Sequence, residues 1–154
     1  MPEPVAGPFV TGHVGLNVGD LSRAIRFYQE VFGFELQGQS GEPGRAYAFL
    51  GQGGTLVLTL WQQSGGRFAT DRPGLHHLSF QVAGIAEVQA AEARVRRLGG
   101  RIHHGGIVPH QEGADSGGLF FEDPDGIRLE IFAASGVGAA AAPHDAGAPT
   151  CGFF

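Results

Sequence analysis

Residues 11 to 18, TGHVGLNV, place Val14, Leu16 and Val18 in alternation with His13, Gly15 and Asn17, the period-2 pattern of a half-buried strand. Asp20 then stands where a helix N-cap belongs. Leu21, Ala24, Ile25, Tyr28, Val31 and Phe32 recur at steps of three and four until Gly33 ends the stripe, which predicts one amphipathic helix. Three strand-like pieces follow, 34–37, 45–50 and 55–61, separated by Gly-rich turns such as GQGG. The predicted order is β-α-β-β-β.

After the polar stretch QQSGGRFATDRPG the pattern restarts. GLHHLSFQV puts Leu78, Phe80 and Val82 on one face and His77, Ser79 and Gln81 on the other. Ile85, Val88, Ala91, Val95 and Leu98 form a second helical stripe that ends at Gly99 and Gly100. Residues 101–104, 118–122 and 127–132 supply three further strand candidates, the last two joined by the turn Asp123-Pro124-Asp125-Gly126. His13 and His77 stand 64 positions apart, as do Val18 and Val82, while Gly33 and Gly99 stand 66 apart. Two copies are too few for a repeat array, and a pseudo-symmetric pair of modules is the simpler reading. The expected organisation is an extension over 1–9, modules over 10–62 and 74–133 joined by a 63–73 linker, and an Ala/Gly/Pro-rich tail over 134–154. Phe153 and Phe154 either stay loose, as chain ends usually do, or dock on an apolar groove.

Composition narrows the function classes. The 27 glycines among 154 residues exceed the usual share of about 7% and imply short elements with many turns. Ten basic against fifteen acidic residues give a net charge of -5 with no basic run, which argues against nucleic acid and anionic lipid as partners. Cys151 is the single cysteine and cannot form an internal disulfide, so a reducing cytoplasm is the expected compartment. MPEPVAGPFV has neither a basic nor an apolar leader-like segment, and no run of about 18 apolar residues occurs, so neither export nor a membrane partner is expected.

Three residues then stand out by position. His13 opens the first strand of module one, His77 holds the same place in module two, and Glu130 lies in the last strand, EDPDGIRLEIF, where Ile127, Leu129 and Ile131 alternate with Arg128, Glu130 and Phe132. On such a strand Glu130 is either solvent-exposed or held in a cavity. If the two sheets curve toward each other with helices outside, the polar faces line one cavity, and two imidazoles with one carboxylate make a metal site with open positions. That donor set suits Fe2+ and equally Zn2+, Mn2+ or Ni2+. His76 is the rival to His77, but strand parity favours His77. The bland alternative is that each of the three is a surface or hydrogen-bonded residue.

HVGLNVGDLSRAIRFYQEVFGFEL, GLHHLSFQV and FFEDPDGIRLEIF resemble the signature stretches of the vicinal oxygen chelate superfamily. It includes glyoxalase I, extradiol dioxygenases, fosfomycin-resistance thiol transferases, methylmalonyl-CoA epimerase and bleomycin-binding proteins. The resemblance spans residues 10 to 133. It implies an α+β fold in which two βαβββ modules form a cupped, incompletely closed mixed sheet barrel around one divalent metal ion, with ligands falling on His13, His77 and Glu130.

Departures from individual families are informative. The fourth ligand of glyoxalase I and the epimerases, a Glu or Gln, is missing from TLVLTLW, with Gln62 just past it. The threonine of fosfomycin transferases is replaced by Gly15, and the tyrosine of extradiol dioxygenases, ten positions before the glutamate, by Phe120. Bleomycin-binding members lack the metal triad that this chain retains. The resemblance therefore implies a dioxygenase or glyoxalase-like lyase acting on a small substrate that chelates the metal through neighbouring oxygens, with an antibiotic-binding or antibiotic-modifying protein as the alternative. His110 and Glu112, in PHQEGADSGG, are the candidate bases, with solvent-exposed loop residues as the alternative. Asn17, Gln81, Arg128 and Phe120 are the candidate substrate contacts, unless Arg128 pairs with a rim carboxylate. Tyr47 and Trp61 are expected as core or pocket-wall aromatics. A homodimer, with or without exchanged modules, is the expected assembly.

Overall fold

The computed structural model describes residues 1–138 and 148–152; Phe153 and Phe154 lie outside them. Its elements are β1 (Val14–Asn17), α1 (Leu21–Phe32), β2 (Glu35–Ser40), β3 (Tyr47–Gln52), β4 (Thr55–Trp61), β5 (Leu78–Gln81), α2 (Ile85–Arg97), β6 (Val108–Pro109), β7 (Gly117–Glu122) and β8 (Arg128–Ala133). A single 3₁₀ turn, Thr150–Gly152, follows. They build an α+β fold of two four-stranded mixed sheets, ordered β1-β4-β3-β2 and β5-β8-β7-β6, that do not close into a barrel. No described helix is long and apolar enough to cross a membrane.

The capping signals act as the sequence indicates. Asp20 accepts a hydrogen bond from the Arg23 amide, and Gly33 ends α1 at φ 71°, a left-handed conformation that costs glycine little. Gln62 adds a second cap by accepting from the Leu21 amide at 2.8 Å. The apolar face of each parallel pair, β1 with β4 and β5 with β8, turns toward the helices. Val88, Ala91 and Val95 of α2 join Leu119, Phe121, Leu129 and Ile131 in the same core as α1 and the first sheet.

The expectation for 101–104 needs correction. Only an isolated bridge, Ile102 to Phe121, forms there. His104, Gly105 and Gly106 all adopt positive φ, which turns the chain out of an extended path. The edge strand is instead the two-residue β6, paired with Gly117 and Gly118.

The modules are tied at the β7–β8 turn. Asp123 is 5% exposed; one carboxylate oxygen accepts from the Asp125 and Ile127 amides at 2.8 and 2.9 Å, the other from the Tyr28 hydroxyl at 2.8 Å. Phe32 and Phe27 of α1 meet Phe80 and Phe121 across the same seam. Burial, only partly offset by these three hydrogen bonds, raises the Asp123 pKa from 3.8 to about 6. The folded chain therefore holds this proton more tightly than the unfolded chain. The resulting stabilisation is full below about pH 4 and is lost as pH rises through about 6, a change on the order of 3 kcal/mol. Asp123→Asn, which keeps an acceptor for the amides and offers a donor to Tyr28, is expected to lack this component. Urea unfolding at pH 4.5 and 7.5 checks this: the wild type loses stability relative to the variant on going to pH 7.5, whereas a constant difference would contradict the assignment.

Candidate functional site

Register determines what surrounds Glu130. It lies opposite Ser79 of β5 and Phe120 of β7, so its side chain projects from the face that Leu129 and Ile131 avoid. Glu130 is 3% exposed. One carboxylate oxygen lies 3.4 Å from His77 Nε2 and the other 2.6 Å from His110 Nε2. An ionised carboxylate only accepts, so His110 Nε2 carries the proton. In a neutral ring Nδ1 then accepts from Ser116 Oγ, 3.1 Å away. His110 is thus a hydrogen-bond donor that holds Glu130, and its remaining lone pair is directed at Ser116.

His77 is set up differently. Burial lowers its imidazole pKa below 6.5, outweighing the upward pull of Glu130, and His76 and Arg128 lower it further. A neutral ring, whose ring nitrogen can exchange its proton for a metal ion, is what metal ligation requires. His76 Nδ1 lies 2.8 Å from His77 Nδ1, so one ring donates to the other. Facing a carboxylate that only accepts, His77 Nε2 carries the proton, and its Nδ1 accepts from His76 Nδ1–H. Sequence parity set His76 aside as a ligand; its orienting contact with His77 depends on ring positions that strand period does not encode.

Phe120 is fully buried, yet it packs outside the helix-facing core, with its ring against His104 and His110. Phe132 flanks His110 with ring centroids 5.2 Å apart. Arg128, half-buried, shares the Glu130 face. Gln81 is exposed at the end of β5, opposite Phe132. Glu112 is exposed in the turn after β6. His13 is exposed just before β1 and lies outside the His77, His110 and Glu130 group. Asn17 faces a hollow of about 130 Å³ beside Ser64, Phe68 and Asp125. Among the described residues no three His, Cys, Asp or Glu side chains are disposed to hold a metal ion together. Gln62, the possible fourth ligand, is occupied as the α1 cap.

The tail contributes where composition gave no signal. Thr150 is fully buried; its amide donates to the His110 carbonyl at 2.8 Å and its hydroxyl to the Pro109 carbonyl at 2.7 Å. Burial and the nearby Glu130 charge push the Cys151 thiol pKa up.

A family model described as the glyoxalase/bleomycin resistance protein/dioxygenase superfamily matches residues 11–131. The chain belongs to this superfamily. Among superfamily relatives, a lactoylglutathione lyase of Salmonella typhimurium is 33% identical over 135 residues, covering 82% of this chain and 93% of its own. A solved glyoxylase/bleomycin resistance protein/dioxygenase domain from Frankia sp. EAN1pec superposes with a TM-score of 0.67 at 28% identity, over 82% of this chain and 93% of that one. A fosfomycin resistance protein of Listeria monocytogenes, solved with Mn(II) and a dihydroxypropylphosphonic acid, gives a TM-score of 0.64 at 22% identity, over 82% and 92% of the two chains. That last likeness concerns the fold.

Within this superfamily fold, Gly117 and Gly118 let β6 and β8 close on β7. A Cβ on Gly118 would collide with the Ile131 carbonyl and fall 2.7 Å from Phe132 Cα, both backbone. Gly118→Ala is therefore expected to cost about 3 kcal/mol, read as a lowered urea midpoint. Gly41→Ala, where a Cβ meets nothing within 4 Å, should stay within about 0.5 kcal/mol of wild type.

Proposed function

We propose that this chain is a metal-dependent, glyoxalase-like enzyme acting on a small substrate with two neighbouring oxygens. Its divalent ion would be held by His77 and Glu130 of one chain and His13 of a second copy. The observation that carries this reading is the buried Glu130 carboxylate, faced by a neutral His77 on a strand whose other face is apolar. The lactoylglutathione lyase relative and the Mn(II) in the fosfomycin resistance protein support it. A second copy is favoured by the first sheet's open face, where Gly15, Asn17 and Thr59 share a side with half-buried Tyr47, Phe49 and Trp61. That aromatic wall, with His13 at its edge, complements the Glu130 face of a partner.

An ion at this position supplies Lewis-acid polarisation of the two substrate oxygens. The chain's own residues set the conditions. His76 orients the His77 ring through the Nδ1–Nδ1 contact, and His110 fixes the Glu130 carboxylate through Nε2–H. Phe120 and Phe132 exclude water from that side. Arg128 offers a guanidinium to an anionic substrate oxygen, Gln81 an amide at the rim, and Asn17 of the second copy another amide. Glu112, on its exposed turn, is the candidate group for moving a proton from the rim.

One observation favours a second reading. With Gln62 occupied as a cap, the ligand set stays at two His and one Glu, which suits Fe2+ and oxygen chemistry.

Metal titration of the purified chain tests the reading. One ion per chain is expected at micromolar concentration, lost in His77→Ala and Glu130→Gln and weakened about 10- to 100-fold in His110→Ala. No ion bound by wild type would refute it. Oxygen uptake with catechols by the iron-loaded chain would select the oxygenase over the lyase.

A further inference from the structure

Away from Glu130, basic charge is concentrated in one place. The chain has ten Arg, no Lys and a net charge of -5, yet Arg23, Arg26, Arg67, Arg97 and Arg101 all line one open groove of about 470 Å³ at the seam between the modules. Arg23 and Arg26 come from α1, Arg67 from the linker, and Arg97 and Arg101 from the end of α2 and the segment after it.

The carboxylates in the groove are already committed. Glu122 is shared by Arg67 at 3.0 Å, Arg101 at 3.3 Å and His103 at 2.7 Å. Asp123 is held by Tyr28 and two backbone amides. Arg26 pairs with Glu30 on the exposed surface of α1, where the pair is screened, and Arg23 reaches Asp125 only at 3.4 Å. Arg97 makes no ion pair among the described residues. Helix electrostatics account for Arg97, since a cation is favourable in the last turn of α2, but Arg23 sits in the first turn of α1, where a cation is unfavourable. Phe27, Leu98 and Pro124 give the groove an apolar floor.

Like charges gathered on three separate chain segments repel one another unless a counter-charge joins them. Guanidinium forks match phosphate and carboxylate oxygens in pairs. We propose that this groove binds a small molecule carrying two or more phosphate or carboxylate groups beside an apolar portion, which bridges α1 of the first module to α2 and β7 of the second. This site is separate from the Glu130 face and does not depend on the metal reading.

Calorimetric titration of the full, metal-free chain with pyrophosphate, adenosine diphosphate and citrate tests it. Saturable one-to-one binding of at least one probe is expected, with phosphate and carboxylate preference read from the three affinities. Binding should weaken as salt is raised and fall by roughly tenfold or more in the doubly substituted Arg26→Ala, Arg97→Ala chain. It should be unchanged in Arg45→Ala, Arg72→Ala and in His77→Ala. Both groove arginines are exposed, so the double variant should fold, and circular dichroism verifies that. No saturation by any probe below about 10 mM, equal affinity in the groove variant, or loss of binding in His77→Ala would each overturn the proposal.

Discussion

A carboxylate buried in the centre of a sheet is the constraint around which the second module is arranged. The β8 alternation sends Leu129 and Ile131 to the helices and leaves Glu130 on the opposite face at 3% exposure. A group so placed needs partners, because leaving it unpaired costs several kcal/mol. His110 supplies the shorter contact and has to be brought there from the edge of the sheet. The two-residue β6, the side-chain-free Gly117 and Gly118, the Ser116 hydroxyl and the Thr150 bonds to residues 109 and 110 all serve that placement. His77 approaches from the other side at 3.4 Å, its Nε2–H directed at the same carboxylate.

The seam between modules follows a different logic. Asp123 exchanges no charge with its partners; it collects three hydrogen-bond donors from two modules in a nearly dry site, with a ring cluster of Phe27, Phe32, Phe80 and Phe121 beside it. Helix α1 thereby packs on the second module, and the open face of the first sheet keeps its half-buried aromatics. On a lone chain the Tyr47, Phe49 and Trp61 rings form a partly exposed aromatic patch there. The proposed pairing of copies gives that patch a cover and brings His13 to a carboxylate it does not meet within its own chain.

Sequence reasoning reached what short-range rules encode. The β1 and β5 alternations, the Asp20 cap, the Gly33 stop and the β8 parity all depend on neighbours within a few positions, and each matches the structure. Residues 101–104 misled because Ile102 has strand character while His104 to Gly106 turn the backbone away. Strand β6 was illegible: two residues have no period, and Pro109 lacks the amide that marks a ladder. His110 carried a signal only as an imidazole in a Gly-flanked loop; its contact with Glu130 depends on the β6 register, twenty positions away. Thr150, in a tail of Ala, Gly and Pro, had no signal at all. Gln62 was noted for its chemistry, and only the helix start beside it explains its use.

The central claim is that the metal site is completed between two copies of the chain. Co-refolding His13→Ala chains with Glu130→Ala chains addresses it directly, by metal content of the mixture. Either variant alone should bind no ion, whereas mixed pairs carry one intact site, so that about one site in four fills in an equal mixture. An ion retained by the His13→Ala chain alone, or a mixture as empty as its components, would contradict the account.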